Sequence, residues 1–307
     1  QLENCILGNY KFLYISPERI SSELFQNKLK VLKQKVNLLV VDEAHCISQW
    51  GNDFRRDYRL IADIRDVLPA VPVIAVTASA TAAVVADICE QLHFRKGYQV
   101  FHASFARPNL SFVVRKTDNK LAEIAHILSA VPGSALIYCR TRQGVESYAR
   151  KLCAAGLTAS YFHAGLDPVV KNERQMQWQQ GETRVLVATN AFGMGIDKSN
   201  VSYVVHYNMP GSVEAYYQEA GRAGRDGQPA RSVMLWTGGD FLNWERRLAD
   251  SAGNALDDPK DRAKAQNAAF SRLDAMRRYC ETDTCRRGLI LDYFGDEHDE
   301  YCDNCGN

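Results

Sequence analysis

Short apolar runs along this chain alternate with stretches whose apolar residues recur every three or four positions. The runs read as buried strands and the recurrences as amphipathic helices, since side chains repeat about every 3.6 residues in a helix. Strands are predicted at residues 38–41, 73–77, 135–139 and 185–189, with a further one at 11–15 before the Ser16-Pro17-Glu18-Arg19 turn. One helix is predicted with Leu24, Leu29 and Leu32 inward, and a second with Leu60, Ile61, Ile64 and Leu68, ending before Pro69. Leu121, Ile124, Ala125 and Leu128 mark a third, and Val145, Tyr148, Ala149 and Leu152 a fourth, stopped by Gly156. Asp167-Pro168 starts another, with Asp as N-cap and Pro at the first helical position, and Gly181 ends it. Such alternation means a parallel sheet with helices on both faces. The rhythm is irregular around Phe105-Ala106-Arg107-Pro108-Asn109, read as an interdomain linker, and stops after Trp236, where residues 241–292 are helical in composition. At 307 residues, two α/β domains and a small helical appendage fit the length.

Chemistry gathers where the predicted strands end. The run at 38–41 stops in two carboxylates, Asp42 and Glu43, and open α/β sheets place their sites at such carboxyl ends. In nucleotide hydrolysis the first acid can hold Mg²⁺, through water, while the second orients and deprotonates the attacking water. A polar loop follows with Trp50 and Phe54 beside Arg55 and Arg56, a mixture suited to stacking bases and holding phosphates. After the strand at 73–77, the turn from Thr77 through Ser79 to Thr81 is rich in hydroxyls, and Ser79 can also N-cap the next helix. His163 lies in a strand-end turn, where a single histidine is more often structural than functional. The strand at 185–189 runs into residues 190–197, whose two glycines let the backbone approach DNA phosphate or nucleotide. In Gln218-Glu219-Ala220-Gly221-Arg222-Ala223-Gly224-Arg225, two guanidinium groups three residues apart can point the same way in a helical turn. A planar donor fork of permanent charge matches the oxygens of a transferring phosphoryl group.

Composition narrows the class. Hydrophobic residues make up 46% and charged residues 24%, as in soluble globular proteins. With 37 basic and 36 acidic residues the net charge of +1 gives no global argument for nucleic acid, so any DNA-binding surface is a local patch. No apolar run has membrane-spanning length and no signal peptide is evident, so a cytoplasmic protein without a membrane partner is expected. Of nine cysteines, Cys5, Cys46, Cys89, Cys139 and Cys153 stand alone in apolar surroundings and read as reduced core thiols. Cys280, Cys285, Cys302 and Cys305 crowd the last 28 residues, which argues for metal. The Cys302-x-x-Cys305 bite suits tetrahedral Zn²⁺, and spacing alone nominates all four.

Asp42-Glu43-Ala44-His45, followed by Cys-Ile-Ser-Gln49-Trp50-Gly, resembles helicase motif II and the aromatic-rich loop of RecQ-family DNA helicases. Residues 77–81 are similar to motif III, 190–197 to motif V, and 216–227 match motif VI almost letter for letter. The resemblance covers nearly the whole chain. It implies two RecA-like motor domains, at 1–106 and 107–238, followed by a helical zinc-binding subdomain at 239–307. It also implies an ATP-dependent DNA helicase of 3′-to-5′ polarity, acting in repair and recombination, with single-stranded DNA and duplex junctions as partners. ATP would lie between the motor domains, with Asp42 and Glu43 facing Gln218, Arg222 and Arg225, and with His45, Gly195 and Asp197 at the nucleotide and its Mg²⁺. Gln49, Trp50, Phe54, Arg55, His163 and Asn190 would face DNA, Trp50 and Phe54 serving as the sensor that couples DNA to hydrolysis. The family's zinc ligands fall on Cys285, Cys302, Cys305 and a cysteine just downstream of Asn307, leaving Cys280 as a packed thiol or substitute ligand. A single-stranded DNA-binding protein as partner and a nucleoid-associated location are further expectations.

The chain departs from the family pattern in places. Ala106 stands where an acid is usual; Asn52 replaces a histidine and Arg56 a proline, and these two make weaker coupling to DNA the expectation. No Gly-Lys-Ser or Gly-Lys-Thr occurs, so the first motor domain is expected to lack its nucleotide loop and the chain by itself to be inactive. The zinc subdomain is likewise expected to be incomplete. Two other readings stand beside this one: another superfamily 2 nucleic-acid motor, and a DNA-binding module without catalysis.

Overall fold

The computed structural model describes residues 2–48, 54–130, 132–193, 198–251 and 259–306, which fall into two compact units, Gln1–Ala103 and Ser104–Asn307. The expected boundary between the motor domains lay three residues later. Among the described residues no helix is long and apolar enough to cross a membrane.

In the first unit the elements are α1 (Leu2–Leu7), α2 (Glu23–Leu32), β1 (Leu39–Val41), α3 (Arg56–Val67), β2 (Val73–Ala75) and α4 (Ala82–Gln91). β1 and β2 pair in parallel, Leu39 opposite Val73 and Val41 opposite Ala75. Ser22 caps α2 by accepting from the Phe25 N–H. Phe25, Leu29 and Leu32 line its buried face, whereas Leu24, expected inward, is 66% exposed because it sits one position off that stripe. Ile61, Ile64, Val84, Ile88 and Leu92 bring α3 and α4 to the same core. The predicted strand at 11–15 is absent from the sheet. Among the described residues its run pairs with no strand, with Phe12 78% and Tyr14 91% exposed, since an apolar run becomes a strand only beside a partner edge. Ser79 is not the cap of α4: Thr81 holds that position, and the Ser79 N–H faces Thr77 Oγ1 instead.

The second unit carries β3 (Leu110–Lys116), α5 (Lys120–Ala130), β4 (Ser134–Tyr138), α6 (Arg142–Ala154), β5 (Ala159–Phe162), α7 (Pro168–Gln180) and β6 (Val185–Ala188). It continues with β7 (Val201–His206), α8 (Val213–Ala220), β8 (Ala230–Trp236), α9 (Gly238–Ser251), α10 (Pro259–Glu281) and α11 (Arg286–Phe294). Six parallel strands run in the order β3-β8-β7-β4-β6-β5. Ala135 and Ile137 of β4 join Ile124, Leu128, Val145 and Leu152 in one apolar layer, while Leu136 and Tyr138 face the other with Trp178 and Tyr216. Burial on both faces is why the central strands read as unbroken apolar runs. α7 has the predicted ends: Asp167 accepts from the Val169 N–H at 2.8 Å, and Gly181 closes it at φ 86°.

Among the described residues the helical region after Trp236 shares its core with the sheet. Leu273, Met276, Tyr279, Ile290 and Phe294 complete the layer built on Phe112 and Tyr216. All nine cysteines are free, but Cys153 is exposed and Cys5 and Cys89 are half-buried, so only Cys46 and Cys139 of the five scattered thiols are core residues.

Candidate functional site

β1 delivers Asp42 to the surface and turns sharply after it. Glu43 stands at φ 48°, ψ 44°, the left-handed region that costs a side-chain-bearing residue about 1 kcal/mol or more. Its N–H donates to Asp42 Oδ1 at 2.9 Å, and the next N–H, of Ala44, donates to Val76 O at 3.0 Å. This reversal sends Ala44–Ile47 straight into the core, all four buried. His45 is the hinge of the arrangement: its Nδ1 lies 2.9 Å from Thr77 Oγ1 and 3.4 Å from Glu43 Oε2. The carboxylate pair and the hydroxyl-rich turn after β2 thus meet through one buried imidazole. Behind them burial pushes the Tyr58 phenol up to about 12, helped by Cys46, opposed by Arg55, and raised further by Glu43 and Asp42. The Arg55 N–H donates to Cys46 O at 2.9 Å, tying the far end of the aromatic loop to the same turn. Phe54 is half-buried, with the Arg59 guanidinium 5.0 Å from its ring centre. Gln49, Trp50, Asn52, Gly195 and Asp197 lie outside the described residues.

In the second unit the arginines do not ride on a helix. α8 ends at Ala220, two residues past the half-buried Gln218, and Arg222 and Arg225 belong to the turns beyond it. Glu219 fastens the end of α8 to β7 through His206 Nε2 at 2.9 Å. Arg222 is half-buried beside Gly193, where an added Cβ would stand 3.1 Å from its Nη2 and 3.2 Å from Asn190 O. Arg222 also neighbours the Tyr138 phenol, which burial pushes far up against the pull of that charge, and which donates to Phe192 O at 2.9 Å. Asn190 and Gly193, distant in sequence from Arg222, therefore share one locus with it, and the glycine leaves the guanidinium its space. Arg225 is exposed, its Nε 3.4 Å from Gly221 O.

His163 takes the structural form. It is 5% exposed, with Nε2 3.1 Å from Glu146 Oε1, so a direct contact from its ring to DNA has little surface to use. Sequence reasoning missed Glu146, and it missed Arg107 and Asn109, which were read as linker. Arg107 donates to the carbonyls of Gly221, Ala223 and Gly224, and Asn109 to those of Gly224 and Gln228. Two side-chain donors flanking a proline in an otherwise irregular stretch were the available signal.

The third group is a metal locus. The sulfurs of Cys285, Cys302 and Cys305 lie within 4.8 Å of one another. Cys285 caps α11, its sulfur accepting from the Gly288 N–H at 3.3 Å. Cys305 bridges to Phe112, so the C-terminal segment lies on the edge strand β3. Burial pushes the Cys302 thiol up to about 11; the Asn304 backbone opposes this, and Cys285 and Cys305 add to it. Three reduced thiols converging on one point, one of them receiving an N–H, form a donor set that fits Zn²⁺. Cys280 is not among them: it is a buried thiol in the core of α10, pushed up mainly by burial.

Known protein families match the three regions of the chain that carry these groups. The family described as DEAD/DEAH box helicase matches residues 1–88, Helicase conserved C-terminal domain matches 119–227, and RecQ zinc-binding matches 238–307. The ATP-dependent DNA helicase RecQ of Haemophilus influenzae is 36% identical over 307 residues, covering 99% of this chain and 48% of that protein. The protein of the same name from Bacillus subtilis is 40% identical over 302 residues, covering 98% of this chain and 49% of the relative. The chain thus spans about half the length of these curated relatives. Among solved structures, Dbp5 of S. cerevisiae, bound to RNA and ADP BeF3, has a TM-score of 0.57. It is 18% identical, covering 80% of this chain and 67% of that one, a likeness of fold alone. With a strand-end Asp-Glu-Ala-His, an arginine turn and a three-cysteine cluster each inside its matching region, the chain belongs to the RecQ family of helicases.

Proposed function

We propose that this chain is the motor part of an ATP-dependent DNA helicase that unwinds duplex DNA with 3′-to-5′ polarity. The observation that carries the reading is the His45 bridge, which holds Glu43 and Thr77 in one network at the end of β1. A residue kept in the left-handed region, against its intrinsic preference, marks a place where geometry is fixed for chemistry. In the proposed reaction Glu43 accepts the proton of the attacking water, and His45 keeps its carboxylate turned to that task. Asp42, exposed and oriented by the Glu43 N–H, is the residue that would hold Mg²⁺, which when bound offsets phosphate charge. Arg222 and Arg225 supply positive charge to the transferring phosphoryl oxygens, and Gln218 stands one turn before them. Asn190 would face DNA, a role supported by its exposure beside the same glycine as Arg222.

The proposal extends to a role in repair and recombination, a cytoplasmic, nucleoid-associated location and a single-stranded DNA-binding protein as partner, supported by the family resemblance alone. Hydrolysis of ATP by the full-length protein, titrated with single-stranded DNA and with RNA of equal length, tests the reading. Stimulation by DNA and not by RNA is expected, and the reverse preference would assign the chain to an RNA motor. A second reading is a DNA-binding module without catalysis. DNA binding without any hydrolysis by the full-length protein would establish it.

A further inference from the structure

The tripeptide Arg107-Pro108-Asn109 faces two ways. Arg107 Nη2 donates to Ala223 O at 2.8 Å and to Gly224 O at 3.1 Å, and Nη1 to Gly221 O at 3.3 Å. Asn109 Nδ2 donates to Gly224 O at 2.8 Å and to Gln228 O at 2.9 Å. Two side chains of one tripeptide therefore grip the carbonyls of the turn that presents Arg222 and Arg225. α8 has ended by Gly221, and beyond it the shorter bonds of a turn continue, from the Arg222 N–H to Glu219 O at 3.3 Å and from the Ala223 N–H to Ala220 O at 3.0 Å. The side-chain grip therefore adds to a turn that the helical ladder no longer fixes in full. Gly224 stands at φ 62°, and a Cβ there would come within 2.6 Å of Asn109 Nδ2 and 2.9 Å of Ala230 Cβ. The fit is close on every side.

The backbone of the same tripeptide is held by the cysteine-bearing segments. Pro108 O accepts from Asn304 Nδ2 at 3.0 Å and from Arg287 Nη2 at 3.3 Å, and Arg287 Nη2 also donates to Leu110 O at 3.0 Å. The Gly306 N–H donates to Phe112 O at 2.9 Å. Arg287 follows Cys285 by two residues, Asn304 lies between Cys302 and Cys305, and Gly306 follows Cys305. Each cysteine of the cluster thus stands within two residues of a hydrogen bond onto residues 108–112.

We propose that Arg107 and Asn109 are positioning residues for the arginine turn, and that the cysteine centre, through Pro108, sets where they stand. A metal bound by the three thiols orders the segments that hold Pro108, because site formation and local folding share one free energy. Arginine is the residue needed at 107, since a planar fork spans neighbouring carbonyls and a single ammonium does not. The meaning for catalysis rests on the proposed role of Arg222 and Arg225. The coupling itself concerns backbone order and is independent of it.

Hydrogen–deuterium exchange on the zinc-loaded full-length protein measures this coupling. The Gly224 N–H, bonded to Val201 O at 2.9 Å, and the Asp226 N–H, bonded to Ser199 O at 3.2 Å, report the turn. Amides of β4 and β6 serve as the reference. Chelation of the metal is expected to speed exchange at the two turn amides about tenfold while the reference amides stay unchanged. Arg107→Ala and Arg107→Lys should each speed the same amides with zinc present, and chelation should add less in either variant than in the unaltered chain, because one of the two side-chain links is then already cut. Asn304→Ala, a half-exposed position whose loss does not threaten the core, should speed the same two amides. Unchanged exchange in the Arg107 variants, or chelation acting as strongly in them as in the unaltered chain, overturns the proposal. No ATP is involved, so either result leaves the proposed function to be judged separately.

Discussion

Glu43 shows how one backbone angle serves a site. Its positive φ turns the chain so that Asp42 stays at the surface while His45 goes inward to meet Thr77. A β-branched residue tolerates that region least and glycine best, so Glu43→Val is expected to be less stable than Glu43→Gly by about 1–2 kcal/mol in urea denaturation. Equal stabilities would mean that the turn is not strained. Tyr58 offers a second test. Its phenol is raised from 10.0 to about 12, so the folded state holds that proton more tightly than the unfolded state does. Its contribution to stability is therefore complete below pH 10 and is lost as pH rises from 10 to about 12. Tyr58→Phe should lose less stability across that window than the parent protein, and parallel pH profiles would contradict the assignment. The acids, the arginines and the cysteines were legible because chemistry-bearing residue types stood at telling spacings. His45 bridging to Thr77, Glu146 on His163, and Arg107 on the turn were not, since contacts between residues more than thirty positions apart, or across a chain reversal, leave no periodicity to read.

Among the elements, ends were more legible where the chain itself supplies the cap. α7 is bounded by Asp167, Pro168 and Gly181 as those residue types dictate. Asp167→Ala is expected to cost the second unit about 1 kcal/mol in thermal or urea unfolding, through the lost bond to the Val169 N–H. Ser79→Ala should leave α4 unaffected as a cap variant, because Thr81 occupies that position. The run at 11–15 misled for a physical reason: β-branching and apolarity describe a residue's fitness for a strand, and pairing decides whether one forms. The arginine segment misled in the opposite way. Spacing of three suggested a helical turn, but α8 ends at Ala220, Gly224 turns the chain at φ 62°, and hydrogen bonds from Arg107 and Asn109 help shape the turns beyond the helix.

Across the whole molecule, the alternation of strand and helix gave the α/β class and the two-fold repetition of architecture. The packing of the helical tail was not legible, because α10 and α11 bury residues against Phe112 and Tyr216, more than forty positions upstream. Zinc belongs to this scale, since its three thiols join the start of α11 to the segment on β3. Elemental analysis of protein prepared without chelator should find one zinc per chain, and Cys302→Ser should lower that content and loosen α11. Folded protein without zinc would remove the metal from the account. The claim that organises the rest is that Glu43 and Arg222 act on ATP in response to DNA. Steady-state ATP hydrolysis by the full-length protein, with and without single-stranded DNA, measures it for the parent and for Glu43→Gln and Arg222→Ala. The account predicts strong stimulation by DNA in the parent and a loss of about a hundredfold or more in both variants, with DNA binding retained. Undiminished turnover in either variant, or a parent rate indifferent to DNA, would contradict it.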